Sequence, residues 1–120
     1  LAAVRLSDGV ELWSRWIDPL PSMKNHPGIS AAASLIPGAV FTSGLDGMVR
    51  AFSTFNGKPI WEYDTTQPVQ TVNGVEAKGG SIGSAGVSIV NGMAFVTSGY
   101  IGFQSGQPGN LLLAFGPPED

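Results

Sequence analysis

The sequence contains one strand–turn–strand pattern twice. The stretches AVRLSDGVELW and AFSTFNGKPIW both have Ala in the first position, Gly in the seventh and Trp in the eleventh. The matched residues, each pair spaced 48 positions apart, are Ala3 and Ala51, Gly9 and Gly57, and Trp13 and Trp61. Because the matches keep their places within the pattern, the chain is predicted to repeat a unit of roughly 40–50 residues.

Turn signals separate the apolar segments of the chain. Short runs rich in Val, Ile, Phe and Ala alternate with SDG, PG, LDG, FNG and NG. Glycine supplies the positive φ that tight turns need, and a preceding Asp or Asn tolerates the left-handed region. No stretch has sustained helical periodicity, so the chain is predicted to be all-β. Four closely connected strands in a unit of this length are typical of a β-propeller blade.

Nine strands are predicted, at residues 1–6, 10–17, 31–36, 39–44, 48–53, 58–64, 84–90, 93–98 and 110–115. They group into the end of one blade over 1–17, a complete four-stranded antiparallel blade over 31–64, and a last partial blade over 84–115. We expect about two and a half blades of one propeller domain. Such a chain needs the remaining blades of the same propeller to close the ring, and alone it is expected to associate and to lack catalysis.

Composition excludes several classes of protein. Hydrophobic residues make up 42% and charged residues 12% of the chain, which is enough apolar surface for a core and too little charge for a disordered polyelectrolyte. The net charge of −3 leaves no basic patch for nucleic acid. The absence of cysteine excludes disulfides, thiol nucleophiles and cysteine-based zinc sites. No apolar run approaches the ~20 residues of a membrane span.

The repeated pattern resembles the pyrroloquinoline quinone (PQQ) propeller repeat, whose docking motif runs A-x-D-x-x-T-G-x-x-x-W. Ala, Gly and Trp match in both copies. Arg5 and Ser53 stand where the motif has Asp, and Asp8 and Asn56 stand where it has Thr. In that repeat the Trp lies on the outermost strand of its blade and packs against the neighbouring blade. The resemblance therefore implies structural docking for the six matched residues.

Two further segments, TVNGVEAKGGSI and SGY…PGN.LLAF, lie within residues 30–116 and resemble the C-terminal part of polyvinyl-alcohol-dehydrogenase-type quinoproteins. Those proteins are eight-bladed propellers. The resemblance implies a C-terminal fragment of a PQQ-dependent enzyme that oxidises secondary alcohols by hydride transfer to the quinone. It also implies an electron acceptor such as a cytochrome c, and a periplasmic or extracellular location. The alternative is a non-enzymatic propeller scaffold that binds protein or peptide partners.

The long connections 18–30, 66–83 and 99–109 are predicted to lie on one face of the propeller. In a four-stranded blade, interblade connections and second-to-third turns share a face, whereas the short SDG and FNG turns lie on the opposite one. Long loops on a rigid scaffold are where binding groups usually sit. A functional site is therefore expected among these three connections.

Candidate site residues follow from what a quinone cofactor requires. Its carboxylates and carbonyls need cationic and hydrogen-bonding partners, often with a hard cation, and the alcohol needs a general base. The cofactor-binding candidates are Asn73, Lys78, Ser81 and Tyr100. Glu76 is the candidate base, and Glu76 with Asn73 are candidate calcium ligands. The plain alternative for each is a solvated glycine-rich loop without a ligand.

The sequence also predicts how exposed the side chains are in two other pairs of residues. Trp13 and Trp16 are three residues apart on one predicted strand, so their side chains point to opposite faces and one of them can be more exposed. Asp46 and Arg50 flank a tight turn, where we expect a carboxylate that caps the turn and a cation on the strand surface.

Overall fold

The computed structural model describes residues 1–18, 28–83, 85–101 and 106–118. Within these ranges the chain forms nine β-strands and no helix. The strands are β1 Ala2–Val4, β2 Glu11–Ser14, β3 Ser34–Ile36, β4 Ala39–Ser43, β5 Met48–Ser53, β6 Pro59–Asp64, β7 Ser88–Val90, β8 Met93–Ser98 and β9 Leu111–Phe115. They occur in the predicted order, and most are shorter than predicted. The prediction of an all-β chain is confirmed, and no helix long and apolar enough to cross a membrane occurs in the described part of it.

The strands form three antiparallel sheets in which neighbours in sequence are neighbours in space. The first sheet pairs β1 with β2, the second has the order β3-β4-β5-β6, and the third has the order β7-β8-β9. The second sheet contains the four consecutive antiparallel strands predicted from the turn spacing, and this arrangement is consistent with a propeller blade. Within the described ranges the three sheets do not close into a ring.

The middle sheet is packed on both of its faces. On one face, Val40 and Phe52 form a buried cluster with Ile17, which follows β2. On the other face, Val49 belongs to a second buried cluster. This cluster also contains Val96 of the third sheet and Ile82 and Val87, which precede that sheet in the chain. Strand β5 accordingly has five consecutive buried residues, instead of the alternation seen in a strand with one solvated face. The layered core therefore depends on neighbouring sheets and not on the middle sheet alone.

Trp13 joins the first sheet to the middle one. Its ring lies so close to Gly57 that a Cβ built on that glycine would be 2.5 Å from the ring carbon Cε3. The indole Nε1 donates a hydrogen bond to the Thr54 carbonyl at 2.9 Å. Nearby, Arg15 Nε donates to the Gly57 carbonyl at 2.7 Å. The turn of the second repeat is thus the surface on which the Trp of the first repeat docks.

The other residues of the repeat have corresponding places. Ala3 lies directly across from Trp13, and Ala51 lies directly across from Trp61. Trp61 packs edge-on against Phe115 of the third sheet, with ring centroids 5.1 Å apart. The indoles of both repeats therefore face the sheet that follows them in the chain.

Arg50 lies inside the structure, so the expectation of a surface cation is wrong. Its side chain is 9% exposed, and its Nη2 donates to Asp46 Oδ2 at 2.6 Å. Asp46 does cap its turn, because Oδ1 accepts a hydrogen bond from the Met48 N–H. Burial of Arg50 follows from the packing of β5 between two sheets, which the local sequence does not reveal.

The docking of Trp13 predicts a large difference between two glycines of the repeat. Gly9 and Gly57 both have positive φ, at 74° and 66°. A Cβ at Gly9 would meet nothing within 4 Å, whereas one at Gly57 would collide with the indole. We expect Gly9→Val to cost about 1–2 kcal/mol through backbone strain alone and Gly57→Val about 2 kcal/mol more through overpacking. Urea unfolding measures both, and equal losses would contradict this docking.

Candidate functional site

The described parts of the three long connections meet at one end of the sheets. Residues 78–82, here called the crossing segment, lie between the turn at 44–47 and the segment 106–110. The backbone hydrogen bonds that join these parts are Ser81 N to Gln107 O (2.8 Å), Ile82 N to Gly44 O (2.9 Å), Gly99 N to Ser81 O (3.0 Å), Asn110 N to Lys78 O (2.9 Å) and Leu45 N to Gly28 O (3.0 Å). The connections therefore share one end, as the blade topology predicted.

Glycines allow the crossing segment to pass directly against other backbone. A Cβ on Gly79 would lie 2.0 Å from the Thr65 carbonyl oxygen, and one on Gly80 would lie 2.2 Å from the Gln107 carbonyl oxygen. Both distances are shorter than any real Cβ contact, so only glycine fits. The two glycines of the KGGS run are therefore required by backbone packing, which sets the path of the chain on either side of them.

Buried hydroxyls satisfy polar groups around the crossing segment. Ser81 is fully buried, and its Oγ donates to the Leu45 carbonyl at 2.6 Å and accepts from the Gln107 N–H at 2.8 Å. Ser98 Oγ accepts from the Gly80 N–H at 2.9 Å and lies 2.6 Å from the Thr65 hydroxyl. The Ser81 hydroxyl thus joins the second and third connections to the turn at 44–47, and in this structure its hydrogen bonds are made within the chain.

Before the crossing segment, the chain makes an excursion over residues 69–77. A single antiparallel bridge between Val69 and Ala77 closes its base. At its tip, Asn73 Oδ1 accepts a hydrogen bond from the Val75 N–H at 3.2 Å, as in a local turn of the Asx type. Asn73 therefore shapes the tip, and Glu76 and Lys78 lie on the returning arm.

Asn110, which directly follows the third connection, holds this returning arm. Its Oδ1 accepts from the Lys78 N–H at 3.0 Å, and its own N–H donates to the Lys78 carbonyl at 2.9 Å. Its Nδ2 also donates to the Glu76 carbonyl at 3.3 Å. The backbone of Lys78 is held on both sides by one residue that lies 32 positions later in the chain.

The returning arm borders a surface depression of about 440 Å³. Its lining residues are Thr66, Pro68, Glu76, Ala77, Lys78 and Asn110. Both Glu76 and Lys78 are exposed. Within the described ranges, neither side chain makes a hydrogen bond or an ion pair, so a carboxylate and an ammonium on one wall are available to a ligand.

The structure brings together only some of the predicted site residues. Glu76 and Lys78 share the depression, whereas Asn73 and Tyr100 do not line it, and Tyr100 is 65% exposed elsewhere on the third connection. Asn110 belongs to the site but was not predicted. The PGN sequence that contains it resembled the quinoprotein family as a segment, without indicating a role for this amide.

Two parts of the prediction find no direct test in the structure. No group of three His, Cys, Asp or Glu side chains comes together in the described ranges, and calcium stays a prediction. Residues 19–27 of the first connection and residues 102–105 of the third lie outside the described residues.

Asp64 organises the entry to the second connection at the end of β6. Its Oδ1 accepts from the Thr66 N–H at 2.9 Å and the Thr66 hydroxyl at 2.6 Å, and its Oδ2 accepts from Gln67 Nε2 at 2.8 Å. Partial burial raises the pKa of the Asp64 carboxyl, but these hydrogen bonds together outweigh that effect and hold the pKa below its ordinary value of 3.8.

A lowered pKa at Asp64 predicts a loss of stability in acid. The carboxylate stabilises the fold above its unfolded-state pKa, and this contribution disappears as the pH falls through the lower folded-state value. Asp64→Asn lacks the titrating group. We therefore expect wild type to be the more stable at about pH 7 and its advantage to shrink between about pH 5 and about pH 2. Urea unfolding across this range tests the expectation, and a constant difference would contradict it.

Ser81 predicts a second effect on stability. Ser81→Ala removes two part-buried hydrogen bonds, one to the Leu45 carbonyl and one from the Gln107 N–H, which should cost about 1–3 kcal/mol in the free energy of unfolding. Ser14→Ala is the matched control, because Ser14 is exposed on β2. Chemical denaturation of both variants measures the difference. A loss at Ser81 no larger than at Ser14 would show that the crossing segment does not depend on this hydroxyl.

Comparisons with known proteins add an independent line of evidence. The chain is 40% identical to a polyvinylalcohol dehydrogenase from Pseudomonas sp, in an alignment of 125 positions that covers 94% of this chain and 20% of that protein. It is 46% identical to a polyvinylalcohol dehydrogenase from Sphingopyxis sp. (strain 113P3), over 75% of this chain and 15% of that protein. No family model matches. The chain is thus similar to polyvinylalcohol dehydrogenases and spans a fifth or less of the length of these relatives.

Proposed function

We propose that this chain forms the C-terminal part of a PQQ-dependent dehydrogenase that oxidises secondary alcohols of the polyvinyl-alcohol type. The observation that carries the proposal is the 40–46% identity to two polyvinylalcohol dehydrogenases over most of the chain. The all-β sheets packed face to face are consistent with blades of a propeller. The proposal includes an electron acceptor such as a cytochrome c and a periplasmic or extracellular location.

The depression beside the crossing segment supports a contact with the polar edge of the cofactor. An ammonium that has no partner among the described residues, on an arm held by hydrogen bonds to Asn110, suits a carboxylate of PQQ. None of the residues that line the depression is aromatic, so the described residues fit the carboxylate side of the cofactor and not its ring faces. Lys78 is therefore the residue we assign to cofactor binding. When bound, the quinone would supply the two-electron acceptor for the alcohol.

Glu76 has a separate role in the proposal. Its carboxylate lines the same depression and can accept the proton that leaves the alcohol hydroxyl. The Asn110 amide holds the backbone carbonyl of Glu76, so the carboxylate starts from a fixed main chain. Asn110 thus contacts the main chain of both Glu76 and Lys78, and the two exposed side chains extend from there.

The test uses the full-length dehydrogenase and separates binding from turnover. PQQ is titrated in the presence of calcium, and the quinone absorbance is followed. We expect wild type to bind, Lys78→Ala to weaken binding on the order of tenfold, and Glu76→Gln to bind normally but turn over a secondary alcohol about 100-fold more slowly.

Lys58→Ala is the matched control for the lysine. Lys58 is also exposed, but it lies beside the FNG turn at the opposite end of β5 from the crossing segment. Its replacement should leave both PQQ binding and turnover unchanged. The absence of PQQ binding by the wild-type protein would overturn the dehydrogenase proposal and would favour the non-enzymatic scaffold instead.

A further inference from the structure

A second cavity lies between the residues that follow β2 and strands β5 and β6 of the middle sheet. We call it the side groove; its volume is about 400 Å³, and it shares no lining residue with the depression that contains Lys78. Three of its apolar lining residues are Trp16, Phe52 and Pro59, and its charged ones are Asp18, Arg50 and Glu62. No step of the proposed reaction uses this groove.

Arg50 presents unused hydrogen-bond donors to the side groove. A guanidinium has five N–H donors, and in the described part of the chain the hydrogen bond from Nη2 to Asp46 Oδ2 is the one that Arg50 makes through them. The Arg50 side chain is largely buried, with 9% of its surface exposed, and Arg50 is one of the residues that line the groove. Asp46 is in turn fixed by the Met48 N–H. A buried cation held in one orientation therefore lines the groove with donors left for a ligand.

The charge balance of the side groove does not favour an anion. Arg50 is already paired with Asp46, and the carboxylates of Asp18 and Glu62 also line the groove. Glu62 stands directly opposite Arg50 in the pairing of β5 with β6. A neutral hydroxyl can accept a hydrogen bond from the guanidinium and donate one to a carboxylate. The polar lining thus suits a hydroxylated ligand without charge.

The apolar lining suits the carbon chain of the same ligand. Trp16 is 76% exposed and offers a wide, flat surface, and it lines the groove together with Pro59 and the buried Phe52. Apolar walls with a few placed polar groups are typical of small-molecule sites. A chain in which methylene carbons alternate with hydroxyl-bearing carbons matches both parts of this lining.

We propose that the side groove binds a stretch of the polyvinyl alcohol chain away from the reacting carbon. This inference rests on the proposed function for the identity of the polymer. The groove would hold a long substrate by segments that do not react, and a monomeric alcohol would not use it. The side groove is therefore expected to affect the KM for the polymer and not the turnover of a small alcohol.

The test measures polymer binding and oxidation in the full-length dehydrogenase. Binding of a short polyvinyl alcohol oligomer to the PQQ-free protein is followed by titration calorimetry. We expect Trp16→Ala to weaken binding on the order of tenfold, as for the loss of one aromatic contact, and Glu62→Gln to weaken it less. Phe55→Ala is the control, because Phe55 is 90% exposed on the FNG turn and lies outside the groove.

The oxidation assay compares the polymer with 2-butanol. A higher KM for the polymer in Trp16→Ala, with unchanged kinetics on 2-butanol, would support the side groove. Wild-type affinity in both groove variants, with melting temperatures showing that they are folded, would overturn it. Oligomer binding that depends on Trp16 in a protein that does not bind PQQ would support the groove and overturn the dehydrogenase proposal, so the two failures are distinguishable.

Discussion

Backbone packed directly against backbone at residues 78–82 is the contact on which the rest of this structure depends. The Thr65 and Gln107 carbonyls occupy the space that a Cβ atom would need at Gly79 and at Gly80, respectively. Because buried backbone groups must find partners, the hydroxyls of Ser81 and Ser98 complete the hydrogen bonding there. Few alternative paths satisfy both conditions. The backbone at Lys78 is therefore set by the fold, and its exposed side chain stands on a rigid base.

The packing of the middle sheet between two other sheets explains why Arg50 is buried and paired with Asp46. Strand β5 is covered on both faces, so its first five residues are all buried, and Arg50 is one of them. A buried cation requires a partner, which Asp46 supplies. Asp46 also caps the turn that receives the crossing segment. The side groove and the crossing segment are thus connected through a single turn, although they lie on different parts of the surface.

The sequence predicts the local parts of this structure better than the distant contacts. Strand order and the four-stranded unit followed from turn residues and a 48-residue repeat, because both are encoded within short segments. The grouping of long connections followed from topology. Asn110 could not be found in this way, since its contact with Lys78 joins residues 32 positions apart. Arg50 was misplaced because its burial depends on a neighbouring sheet. The hydrogen bonds of Ser81 could not be foreseen because its partners lie in the turn at 44–47 and in the third connection.

Amide hydrogen exchange tests the central claim most directly, because it reports the opening of the crossing segment itself. We predict that the amides of Ser81, Ile82 and Gly99 exchange slowly and together, with protection comparable to that of the amides in the centre of β5. The tip at residues 72–74 should exchange much faster. Exchange at Ser81 and Ile82 as fast as at this tip would contradict the account, because the segment would then be a mobile loop and could not fix the position of Lys78.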